Sequence, residues 1–154
     1  MRIRLICEGK TKDTHLRALQ ADYVKRISRF TELTVEERRP RRAASRAHDG
    51  KLSAGEHQLL ARSQGCTKIL LDERGREWSS AEFAAWLGQQ ELQGAKELAF
   101  LVDGAEGFSA AMREQADSLL ALSRMTLTHD WARTLLLEQI YRAYTILRGH
   151  PYPR

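Results

Sequence analysis

The stretch Leu98-Ala99-Phe100-Leu101-Val102-Asp103-Gly104-Ala105-Glu106-Gly107 is the strongest constraint on how this chain folds. Five apolar residues in a row read as a strand buried on both faces, which is the pattern of a parallel sheet. Two glycines follow, where the backbone can take angles and approaches that a side chain blocks. A new helix pattern opens at Ser109. Strand, glycine loop and helix in that order form the usual seat of a phosphate- or nucleotide-bearing ligand in an α/β sheet. No Gly-Lys-Ser/Thr follows, so the loop is not a Walker A sequence, and it is not GxGxxG.

The rest of the chain alternates in the same way. Ile3 to Cys7 is a first strand, followed by the polar loop Glu8-Gly9-Lys10-Thr11-Lys12. Asp13 or Thr14 can cap a helix whose apolar residues Leu16, Leu19, Tyr23, Ile27 and Phe30 recur every three or four positions. Leu33 to Glu37 is a short second strand. Ser53-Ala54-Gly55-Glu56 is a capping box for a helix running to about Ser63. Lys68 to Asp72 is a third strand and residues 73–77 read as a turn. Ser79 and Glu82 form a second capping box, with Trp78 and Phe83 as its hydrophobic staple, and Gly94 closes that helix. Ser109 caps a short helix to about Asp117, and residues 118–123 are a fifth apolar stretch. A last helix covers about Asp130 to Arg148, with a core face expected at Trp131, Leu135, Leu136, Ile140, Tyr144 and Leu147. The order predicts one α/β domain over residues 1–154, with a mainly parallel sheet and helices on both faces.

Composition narrows the function classes. No apolar run is long enough to span a membrane, and the N-terminus has no signal-peptide pattern. Cys7 and Cys66, the only cysteines, read as reduced core thiols, so a cytoplasmic location is expected and no zinc site is. The formal net charge of +5 favours a polyanionic partner. Residues 38–46 hold five arginines and a proline. They are either a solvated connection or an arm that grips phosphates.

Other residues carry weaker signals. Asp103 closes a strand beside the glycine loop. It either accepts from a ribose or braces the loop through backbone amides, and bracing is preferred. Glu138 and Arg142 have helical ion-pair spacing, whereas Arg133 and Arg142 fall on different faces. The extended tail offers His150, Tyr152 and Arg154, a set suited to a flipped RNA base.

Taken together, these segments resemble the ribosomal large-subunit methyltransferase H family, small members of the SPOUT class of α/β-knot methyltransferases. The resemblance runs over essentially the whole chain. It rests on residues 8–12, Asp22-Tyr23-Val24-Lys25-Arg26, Leu71 with Gly75, the Gly104–Gly107 loop, residues 122–127, Arg133, residues 137–143 and His150-Pro151-Tyr152. It implies a deep C-terminal trefoil knot and a homodimer whose active sites draw on both subunits. The cofactor implied is S-adenosylmethionine, lined by Leu71, Gly104, Gly107, Leu122, Ser123, Arg124, Met125, Thr126 and Leu127. The reaction implied is methylation of N3 of a pseudouridine in helix 69 of large-subunit ribosomal RNA, in the assembled ribosome. His150, Tyr152 and Arg142 are its candidate catalytic residues, and Lys10, Lys12, Arg26, Arg133 and Arg154 its candidate RNA contacts. Three positions depart from the family pattern: Asp103 stands for a usual glycine, Thr128 for a proline and Pro153 for a histidine. A methyltransferase for another RNA base, or a catalytically silent RNA-binding relative, are the competing readings. A nucleotide hydrolase is disfavoured by the lack of a carboxylate pair or metal motif.

Overall fold

The computed structural model describes residues 1–39, 50–104 and 106–153. Five strands, β1 (Arg2–Glu8), β2 (Glu32–Arg38), β3 (Thr67–Glu77), β4 (Glu97–Val102) and β5 (Ser118–Ala121), form one sheet in the order β2-β1-β4-β3-β5. All four pairings are parallel. The helices are α1 (Thr14–Ile27), α2 (Ala54–Arg62), α3 (Ser80–Leu92), α4 (Ala110–Glu114) and α5 (His129–Leu147).

Alternation along the strands sorts the core into two layers. Ile3, Leu5 and Cys7 of β1, Ile69 of β3, and Leu98, Phe100 and Val102 of β4 pack with Ile27, Phe83, Leu87, Leu136, Leu137 and Ile140 from α1, α3 and α5. The residues between them, Ile6, Leu70, Ala99 and Leu101, point the other way onto Leu59 and Met112 of α2 and α4. Both faces are therefore covered, as the unbroken apolar run in β4 requires. Cys7 and Cys66 are buried free thiols, and burial pushes Cys7 up to about 12.

The helix starts follow the sequence signals closely. Asp13 accepts from the amides of His15 and Leu16, and both capping boxes, Ser53–Glu56 and Ser79–Glu82, are complete. The Trp78 and Phe83 rings lie 6.1 Å apart, and Gly94 takes φ 75° just beyond α3. Glu56 does more than cap α2. Its carboxylate also accepts from the Ser109 amide at 2.7 Å and the Ser109 hydroxyl at 2.8 Å, so one side chain ties the starts of α2 and α4.

Three expectations need correction. Residues 73–77 are not a turn but the continuation of β3, which shifts register between Leu71 and Arg76 and pairs again with β5 at Leu120 and Ala121. Gly75 permits this: a Cβ there would sit 2.6 Å from the backbone of Leu119 and Leu120. On α5, Trp131 is 50% exposed and Leu135 only partly buried, while Arg133 and Thr134 occupy the core-facing positions. Last, Arg38 is a buried residue ending β2, donating to the Gly55 carbonyl at 3.1 Å, and not part of a solvated arm. The remainder of the arginine cluster, from residue 40, lies outside the described residues.

Two substitutions test this account. Gly75→Ala forces β3 from β5 and is expected to cost about 1–3 kcal/mol in chemical denaturation, as overpacking does. Glu56→Ala strands three donors and is expected to cost about 2 kcal/mol or more. Wild-type stability in either variant would contradict the assigned contacts.

Candidate functional site

A cleft of about 870 Å³ opens where the C-terminal ends of β4, β3 and β5 meet, three neighbours in the sheet. This is the crevice in which open parallel sheets bind ligands. One wall is Leu71 to Arg74 of β3. Another is Val102, Asp103, Gly104, Gly107 and Phe108. The third is Leu120 to Ser123, Met125 to Thr128, and the first turn of α5 at His129 and Ala132. Each wall has a local cause. Gly107 takes φ 76°, which turns the chain after β4 toward Ser109. A Cβ on Gly104 would approach the Glu8 carboxylate at 3.3 Å, so this position stays narrow. Ser123 Oγ accepts from the Met125 amide at 2.9 Å and fixes the loop after β5. Thr128 caps α5, so the positive end of that helix faces the cleft.

The structure brings together every expected cofactor residue except one. Leu71, Gly104, Gly107, Leu122, Ser123, Met125, Thr126 and Leu127 all line the cleft. Arg124 does not: its side chain is 87% exposed and lies 3.9 Å from Glu77. Sequence reading missed Asp72, Arg113 and His129, which face the same space. In the sequence Asp72 stands at a strand end and Arg113 in a short helix pattern, and nothing in their spacing links them. Their 3.5 Å ion pair appears only once β3 and α4 meet.

Asp103 stands beside the glycine loop, and its carboxylate accepts from its own backbone amide. Its Oδ2 is buried without a hydrogen-bond partner among the described residues. Burial, then the carboxylates of Asp72, Glu8 and Glu56, push its carboxyl up to about 7.

The candidate catalytic residues form a second cluster, at the far end of α5. Arg142 holds Glu138 with Nε at 3.0 Å and Nη2 at 2.7 Å, and Nη1 donates to the Pro153 carbonyl at 2.6 Å. Its guanidinium lies 4.6 Å from the Tyr152 ring centroid. Tyr152 packs edge-on to Tyr141 at 4.9 Å, and its hydroxyl is 3.1 Å from that of Tyr23. The His150 ring meets the Phe30 ring at 5.6 Å, and its amide donates to the Thr145 carbonyl. Burial pushes the Tyr152 phenol up, helped by the Tyr23 hydroxyl and Glu138, so it stays protonated. The tail is thus folded back on α1 and α5, not frayed.

The candidate RNA contacts divide. Lys10 and Lys12 are exposed, and the half-buried Arg26 pairs with Asp22 at 2.8 Å. Arg133 is 1% exposed; its guanidinium donates to the Glu8 carbonyl at 2.7 Å and to Thr11 Oγ1 at 3.3 Å. In this chain it is an internal tie between α5 and the loop after β1, which corrects its assignment as a surface contact. Arg154 lies outside the described residues.

The two clusters are far apart. Ala132 lines the cleft and Arg142 anchors the tail, ten residues later on one helix, or about 15 Å of axial rise.

Comparison with known proteins agrees with this geometry. The family model described as predicted SPOUT methyltransferase matches residues 1–153. The chain is 40% identical over 152 residues to ribosomal RNA large subunit methyltransferase H of Trichlorobacter lovleyi, covering 99% of each. It is 41% identical over 154 residues to the protein of that name in Geobacter sp. strain M21, covering 99% and 98%. Among solved structures, a probable methyltransferase from Bordetella pertussis superimposes with a TM-score of 0.57 at 19% identity, covering 92% of this chain and 93% of that one. The tRNA (m1G37) methyltransferase of Aquifex aeolicus does so with a TM-score of 0.60 at 12% identity, covering 100% and 75%. A parallel sheet with its cleft at one edge, and identity of this level over the full length, lead to one conclusion: the chain belongs to the SPOUT methyltransferases, in the family of ribosomal RNA large subunit methyltransferase H.

Proposed function

We propose that this chain methylates large-subunit ribosomal RNA, taking the methyl group from S-adenosylmethionine and placing it on N3 of a pseudouridine in helix 69. The observation that carries the reading is the cleft at the ends of β4, β3 and β5, in a chain that matches ribosomal RNA large subunit methyltransferase H from end to end. The cleft fits the cofactor. Its glycines and exposed strand ends offer backbone groups at close range, and the positive end of α5 suits a carboxylate. The unit is a single α/β-knot domain acting in the cytoplasm as a homodimer.

The dimer reading has a physical support in the single chain. No side chain spans the roughly 15 Å of helix between Ala132 and Arg142. A tail that serves a cleft must therefore serve the cleft of a second copy. Met125 and Trp131, 78% and 50% exposed beside the cleft mouth, are apolar surface that such a copy would cover.

S-adenosylmethionine supplies an electrophilic sulfonium methyl. The chain's own residues hold the base and manage its proton. Arg142, held by Glu138 on one side and carrying Tyr152 on its face, presents charge toward an imide nitrogen that turns anionic as its proton leaves. Tyr152, kept neutral, acts as a stacking surface and hydrogen-bond donor, not as a base. His150 is the exposed group of this cluster that can accept the proton.

Mass mapping of ribosomal RNA from cells with and without this protein tests the reading. Loss of one methyl from one pseudouridine is expected, and an unchanged map contradicts it. Arg142→Ala is expected to lower kcat about 100-fold while S-adenosylmethionine affinity stays near wild type. Full turnover of His150→Ala on ribosomes would remove His150 from the role of proton acceptor.

A further inference from the structure

We propose that Asp103 makes this cleft discriminate by charge between the methyl donor and the spent product, holding S-adenosylmethionine more tightly than S-adenosylhomocysteine. The proposal rests on the cofactor reading above.

The geometry is that of a carboxylate with one oxygen left open. Asp103 follows β4 and lines the cleft, and its Oδ2 is buried and accepts no hydrogen bond among the described residues. Its neighbours add to the same sign. Glu8 stands at the end of β1, Glu56 at the start of α2, and Asp72 on β3. Glu106 lies on the loop that follows, and His129 faces the cleft from α5. Arg74 and Arg113 also line the cleft, and Arg113 of α4 is already committed: it pairs with Asp72 at 3.5 Å and donates to the Phe108 carbonyl. Glu56 is fully engaged by Ser53 and Ser109. An unpaired buried carboxylate is costly, and a ligand that brings positive charge removes part of that cost.

The two ligands differ in the required way. S-adenosylmethionine and S-adenosylhomocysteine share the adenosine, the ammonium and the carboxylate. The donor carries one positive charge more, on sulfur. Methyl transfer removes that charge, so an anionic wall favours the donor and releases the product. The pressure of the surrounding carboxylates has a second consequence. With its carboxyl up at about 7, Asp103 is ionised in mildly alkaline solution and protonated in mildly acidic solution. Discrimination should therefore fade as the pH falls. The sign for stability is the reverse. A carboxyl raised on folding contributes stability below its unfolded value, and this is lost as the pH rises through about 7.

Calorimetry with the full chain tests this, using S-adenosylmethionine, S-adenosylhomocysteine, and an analogue in which a protonated amine replaces the sulfonium methyl. At about pH 7.5, the ratio of product Kd to donor Kd is expected to be about tenfold larger in wild type than in Asp103→Asn. The amine analogue should behave as the donor does. At about pH 5.5 the wild-type ratio should fall toward that of the variant. In melting experiments without ligand, Asp103→Asn should melt several degrees above wild type at about pH 8, and the gap should close as the pH falls to about 3.5. Equal changes in donor and product affinity, or a wild-type ratio independent of pH, would overturn the proposal while leaving the cofactor reading intact. Failure of wild type to bind either ligand would overturn both. If Asp103→Asn does not fold, the pH dependence of the wild-type ratio decides alone.

Discussion

A sheet whose four pairings are all parallel must return the chain to the same end of the strands before every strand, and each return has to cross one of its two faces. That single constraint sets most of what this molecule is. It explains why β4 is apolar at successive positions, with Leu98, Phe100 and Val102 facing α3 and α5 while Ala99 and Leu101 face α2 and α4. It also places the C-terminal ends of β4, β3 and β5 side by side, which makes a cleft of backbone groups without any dedicated binding motif. The close pass of β3 over β5 at Gly75 keeps the third wall in place.

The second constraint is the seating of α5. Its N-terminal half is fixed by a buried polar chain: Arg133 donates to Glu8 and Thr11, Thr11 donates to Gln20, and Gln20 donates to Thr134. Hydrogen bonds of this kind hold direction more strictly than apolar packing, and a buried guanidinium left without them would be costly. Its C-terminal half carries the aromatic group of Phe30, Tyr141, Tyr144 and Tyr152, with Arg142 on the Tyr152 ring. One helix thus borders the cleft at one end and carries the Arg142–Tyr152 cluster at the other, separated by about 15 Å.

Much of this was legible in the residues. Local signals with a mechanism, such as Asp13, the Ser53–Glu56 and Ser79–Glu82 boxes and Gly94, named element ends that the structure places within a residue or two. The cleft residues were legible through the family resemblance and only weakly from the glycine loop alone. What failed was non-local. Residues 73–77 have turn composition, but pairing with β5 holds them extended. Arg133 has the sequence context of a surface cation, and only the converging acceptors of Glu8 and Thr11 allow its burial. The carboxylate pressure on Asp103 could not be read from its neighbours in sequence, because Glu8, Glu56 and Asp72 come from other elements. In each case the deciding neighbour comes from another strand or helix.

The central claim is that one copy's tail completes the other copy's cleft. It is tested most directly by mixing two inactive chains and assaying methyl transfer to ribosomes. One carries Gly104→Leu, which fills the cleft, and the other carries Arg142→Ala with Tyr152→Phe. After subunit exchange, half of the dimers pair one chain of each kind, and each such dimer has one intact composite site, so about a quarter of wild-type activity should return. A mixture as inactive as its parents, with exchange verified, would show that cleft and tail serve the same chain and would contradict the account.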